Sequence, residues 1–131
     1  MVRPAAVPPF RILDPALAVA ERLLSTRLST VVLALPDETL AARRLNAHLA
    51  STRLLLVPGA AGWRLVCTDR TGSAPDLSEA AGGLAALVAV AGWTRLKRCE
   101  TCGEPFLDRT NGRTRRWCTP HRPHGRELST G

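Results

Sequence analysis

The sequence predicts an α+β fold in which a small helix/β-hairpin/helix domain is followed by a compact cysteine-bearing module. Apolar residues recur at helical spacing both before and after the middle of the chain, two β-rich runs flank a Pro/Gly break between them, and cysteines cluster near the end. At 131 residues there is room for one hydrophobic core and a small appended unit. Hydrophobic residues make up 45% of the chain and Tyr is absent, so Leu, Val and Ala must fill most of the core.

Pro4, Pro8 and Pro9 predict a flexible, extended arm over residues 1–13. Asp14-Pro15 then reads as a helix start, with Asp as N-cap and Pro at the first helical position. Leu17, Ala20, Leu23, Leu24, Leu28 and Val31 carry one amphipathic helix to about Leu35. Asp37 repeats the cap signal, and Leu40, Leu45 and Leu49 predict a second helix to about Ser51. Arg53 to Val57 and Trp63 to Cys67, around Pro58-Gly59-Ala60-Ala61-Gly62, read as a hairpin with Cys67 a small buried hydrophobe. A third helix is expected from about Leu77 to Leu96. Gly82-Gly83 weakens that helix by roughly 1 kcal/mol per Gly and would let a neighbour approach closely. Residues 14–96 thus form the first domain, 97–126 the second and 127–131 a tail.

The net charge is +7 and the isoelectric point about 10.9, a balance that attracts polyanions. From Arg95 to Gly131 nine basic residues face four acidic ones, so +5 of the charge lies in the last part of the chain. No apolar run approaches the ~20 residues of a membrane span, and the start lacks the pattern of a signal peptide. A cytoplasmic location is expected, and in a reducing compartment closely spaced cysteines are more often metal ligands than disulfide partners.

Cys99-Glu100-Thr101-Cys102-Gly103 is a Cys-x2-Cys turn whose glycine permits the tight backbone, and Cys118 adds a third sulfur. His121 or His124 can supply a fourth ligand. Three sulfurs and one nitrogen suit one structural Zn2+ per chain, with no open position for catalysis. A redox Cys-x2-Cys usually begins a helix in a thioredoxin-like domain, whereas a turn and a basic segment surround this one. Glu104 to Phe106 and Arg115 to Trp117 are expected to pair around Asn111-Gly112, with Phe106 and Trp117 as a miniature core over the metal. The module is then a zinc-ribbon or treble-clef-like finger.

These residues resemble the bacterial CGNR-type zinc-finger proteins, in which the finger follows an N-terminal ABATE domain. The resemblance rests on Lys97-Arg98-Cys99, Cys102, Phe106-Leu107-Asp108, Asn111-Gly112-Arg113 and Arg116-Trp117-Cys118, in that order. Where the family closes on Cys-Gly-Asn-Arg, this chain has His121, or His124-Gly125-Arg126. Ala42 to Trp93 resembles the second half of an ABATE domain, and the first part is shortened, so a small-molecule ligand is not expected. The resemblance implies stress-linked regulation of transcription.

The expected function is zinc-dependent DNA binding in a bacterial transcriptional regulator, with Arg109, Arg113, Arg115, Arg116, Arg122 and Arg126 as candidate DNA contacts. The N-terminal domain is a candidate for homodimerisation. One alternative is a zinc-stapled protein-interaction module without specific DNA binding. Another, ranked lower, is a metal-dependent nuclease using His121 or His124. Residues 1–94 hold no nucleophile with a base nearby in sequence and no recognisable carboxylate pair, so an enzyme is not expected.

Overall fold

The computed structural model describes residues 13, 15–60, 62–110 and 112–121. The arm apart from Leu13, the Asp14 cap, Asn111, Arg122, His124, Arg126 and the tail lie outside the described residues. The elements in order are α1 (Ala16–Leu23), α2 (Ser29–Ala34), α3 (Glu38–Leu49), β1 (Thr52–Gly59), β2 (Gly62–Asp69), α4 (Pro75–Ala91), β3 (Leu96–Arg98) and β4 (Pro105–Leu107). β1 with β2, and β3 with β4, form two separate two-stranded antiparallel sheets. Among the described residues no helix is long and apolar enough to cross a membrane.

The long first helix expected from the apolar spacing is two short ones. Between them the Leu28 amide donates back to the Leu23 carbonyl at 2.9 Å, and the hydroxyls of Thr26 and Ser29 donate to the carbonyls of Leu23 and Thr26. These local bonds compete with the helical ladder and turn the chain. The apolar positions keep their role, because Leu17, Leu24, Leu28 and Val31 are all fully buried. Each such side chain contributes roughly 1.5–3 kcal/mol relative to exposure. Asp37 caps α3 as expected, accepting from the Leu40 amide at 3.0 Å.

α4 lies against α1 on one side and the β1–β2 hairpin on the other, and Gly82-Gly83 make both approaches possible. A Cβ on Gly82 would sit 2.7 Å from Cys67 Cβ and closer still to its sulfur, while one on Gly83 would sit 2.8 Å from the backbone of Ala16. Gly82→Ala should therefore lower stability by about 1–2 kcal/mol, overpacking outweighing the gain in helix propensity. Chemical denaturation at pH 7 reads this directly, and an unchanged or raised midpoint would show that the hairpin yields freely.

The start of α4 is held by Asp69, whose carboxylate accepts from the Ala74 amide at 2.6 Å and from the hydroxyls of Thr71 and Ser78. Those donors, the Ala74 amide foremost, hold its pKa down at about 2. α4 stops at Ala91, short of the expected Leu96, because Gly92 takes a positive φ of 78° and its amide closes on the Val88 carbonyl at 2.8 Å. The chain then turns, and Leu96 opens β3, which runs across the expected domain boundary at residue 96. Leu96 and Leu107 are both buried in the main core with α1 to α4, so the last sheet is built into the helical domain.

Candidate metal centre

β3 delivers Cys99 to a tight turn in which the Gly103 amide donates to the Cys99 carbonyl at 2.8 Å and the Cys99 amide to the Glu104 carbonyl at 2.9 Å. Gly103 has a φ of 79°, a conformation that L side chains rarely adopt, as the Cys-x2-Cys-Gly pattern implied. β4 follows at once and pairs with β3, so Cys99 and Cys102 hang from the end of a rigid ribbon. Cys118 and His121 come from one turn of 3-10 helix, Thr119–His121, closed by the His121 amide on the Cys118 carbonyl at 3.0 Å.

The three sulfurs and one imidazole nitrogen all lie within 4.8 Å of one another. Cys102 and Cys118 are 3.6 Å apart sulfur to sulfur, and His121 Nδ1 stands 3.1 Å from the Cys118 sulfur and 3.7 Å from that of Cys99. Tetrahedral zinc with bonds of 2.3 Å to sulfur and 2.0–2.1 Å to nitrogen needs ligand separations of about 3.8 Å between sulfurs and about 3.5 Å between sulfur and nitrogen. The observed spacings fit, and the donor set is that of a closed structural site. Residues 95–123 match the CGNR zinc finger. No curated protein matches the chain. The CGNR finger here holds a Cys3His group positioned for one structural Zn2+, its imidazole among the described residues being that of His121.

Electrostatics around the ligands follow from the turn. Burial alone would raise the Cys99 pKa, but backbone amides, including that of Thr101 at 3.3 Å, point at its sulfur and hold it down at about 6. Cys118, buried and sharing protons with the neighbouring thiols, is pushed up to about 11. Phe106 and Trp117 pack with Cys99 and Cys118 as a small second core, as expected from the sequence.

The hairpin expected between residues 104–106 and 115–117 does not form. β4 pairs with β3 instead, and the carboxylate of Asp108 gathers the amides of Thr110 and Arg115. Asp108 is fully buried. Its Oδ1 accepts from the Thr110 amide at 2.8 Å and from the Thr110 hydroxyl, and its Oδ2 accepts from the Arg115 amide at 3.0 Å and from Lys97 Nζ at 2.6 Å. The Lys97 ammonium has three N–H donors, and the remaining two have carbonyl acceptors at Arg113 and Arg115. Arg95 adds bonds from its guanidinium to the carbonyls of Asp108 and Thr110 at 3.0 and 2.7 Å. A buried carboxylate with four donors satisfies the backbone better than a free-standing two-stranded hairpin would, since such a hairpin is marginal in water.

This network redistributes the basic residues. Arg115 points inward, donating to the Trp117 carbonyl at 2.7 Å and to the Thr119 hydroxyl at 3.1 Å, with its guanidinium 4.6 Å from the Phe106 ring centre. Arg109 pairs with Glu21 of α1 at 2.9 Å and ties the finger to the helical domain. Arg116 is exposed, paired with Glu100 at 2.8 Å and stacked over Trp117. Arg113 is exposed with a φ of 56°, and Arg122 and Arg126 lie outside the described residues. The sequence reading missed Asp108 and Lys97 as organisers. The available signal was Asp-x-Thr, a side chain and spacing suited to an Asx-type turn.

Proposed function

We propose that this chain is a zinc-stapled DNA-binding protein that regulates transcription, with the metal in a structural and not a catalytic role. The observation that carries the reading is the set of exposed arginines carried by the ligand segments. Arg98 directly precedes Cys99, Arg116 lies two residues before Cys118, and Arg113 sits at the turn whose carbonyl Lys97 holds. Zinc and the Asp108 network fix the backbone under these side chains, so little ordering cost remains when they meet phosphates. The formal charge of +7 supplies long-range attraction to a polyanion. The four protein ligands fill a tetrahedral site, which leaves the metal no position for substrate.

Arg113→Ala should weaken binding to duplex DNA about evenly across sequences and reduce the steepness of the log K against log salt plot by about 0.9. Arg115→Ala should behave differently, lowering finger stability first, because its guanidinium is used inside the fold. A salt titration by fluorescence anisotropy on both zinc-loaded variants separates the two effects. Wild-type binding with a salt slope near zero would defeat the proposal.

A further inference from the structure

The β1–β2 hairpin turns one face toward α4, and that face outlasts its cover. In the antiparallel register Leu54 stands opposite Cys67, Leu56 opposite Leu65, and Pro58 opposite Trp63. Residues along one strand alternate sides, so these pairs share a face. Near its base the face packs on Gly82, which touches Cys67 and Thr52. Toward its tip it is bare, and Leu54, Leu56, Leu65 and Trp63 are 59, 69, 56 and 72% exposed. Between the sheet and the helix runs an apolar groove of about 380 Å³, lined in part by Leu54, Leu65, Ala85 and Ala86. Val90, one helical turn beyond Ala86 on the same side of α4, is 68% exposed.

We propose that this face is the contact between two copies of the chain, each placing its hairpin tip, with Trp63, against the groove of the other. Area selects this occupant. A Trp offers up to ~250 Å², and with three half-exposed leucines the face presents on the order of 500 Å² of apolar surface, at the upper end for a monomer. A stable homodimer buries about 800 Å² per partner, of which about 65% is apolar, and the face supplies that apolar share. A two-fold axis lets one surface serve both partners, and a hairpin tip beside a groove is self-complementary in this sense. The hairpin gains as well, because a two-stranded sheet needs further packing for stability of its own. Charge is no obstacle, since Arg53 and Arg64 belong to the pairs of the opposite face and Asp69, though on this face, lies at its base, away from the tip.

Sedimentation equilibrium of the full zinc-loaded chain from 1 to 100 µM tests the proposal, with Trp63→Glu and Leu56→Glu beside the wild type. Leu33→Glu, at another exposed apolar position on α2, is the control. A wild-type dimer whose Kd rises at least tenfold in the two hairpin variants, and not in the control, supports the interface. Far-UV circular dichroism and zinc content establish that each variant is folded. Independently, hydrogen exchange of the β1 and β2 amides in the wild type should slow as concentration rises. A wild type that stays monomeric at 100 µM overturns the proposal, as does a dimer that the hairpin variants leave intact. A monomer that takes up a hydrophobic dye at the groove would assign it to an apolar ligand and would equally overturn it.

Discussion

Replacing Cys118 by Ser is expected to take the chain from one zinc to none and to unfold the segment that follows β4. Cys118 and His121 project from the same turn, so losing the sulfur also unseats the imidazole of His121 from its place beside Cys99. Structural zinc contributes on the order of 10 kcal/mol in small fingers, far more than Phe106 and Trp117 can supply by packing. Metal content after gel filtration under reducing conditions reads the loss, and the near-ultraviolet signal of Trp117 reads the unfolding. His121→Ala should weaken zinc less, because three sulfurs remain. Full zinc retention by Cys118→Ser would show that the sulfur is no ligand.

Asp108→Ala should cost about 3–4 kcal/mol, the cost of leaving Lys97 and the amides of Thr110 and Arg115 without their acceptor in a buried place. Burial works to raise the Asp108 pKa, yet the Lys97 ammonium and the Thr110 donors outweigh it and hold the carboxyl below its ordinary value. The folded-state value is therefore depressed, so the stabilisation is complete above the unfolded value of about 3.9 and is lost as pH falls through the folded one. Denaturant curves for wild type and Asp108→Asn should differ widely at pH 7 and converge toward acid. A constant gap down to pH 2 would mean that packing, and not the charge, is what the carboxylate contributes.

The sequence reading located most elements because their signals are local. Asp37 before an apolar-periodic stretch, short apolar runs on either side of Pro58 to Gly62, and a glycine after the second cysteine each act within a few residues. Cys99, Cys102 and Cys118 were legible from spacing alone. The place of His121 was not, because spacing leaves its ring free to turn either way and the 3-10 turn from Thr119 is what carries its nitrogen to the sulfurs. The break after Leu23 escaped because hydroxyl bonds from Thr26 and Ser29 redirect the backbone without disturbing the apolar period. The pairing of β4 was misread for a different reason. Asn-Gly promised a local hairpin, whereas Asp108 captured the intervening amides and left Leu96 to Arg98, before the first cysteine, as the partner strand. Whether an arginine faces outward depends on such tertiary acceptors, and a count of charges cannot supply it.

Adjacent side chains of β4 serve different masters: Phe106 packs with the ligand cysteines, and Leu107 belongs to the helical core. α2 rests on both strands of the ribbon that carries them. The finger is for that reason no interchangeable cassette. A recombination event that cut the gene near residue 96 would carry away the metal ligands and Leu107 without the helical core into which Leu107 packs, and any host would have to provide a matching apolar bed. A substitution in α2 that shifts its apolar face is expected to disturb the β3–β4 pair as well, and graftable versions of this finger would begin upstream of Arg95.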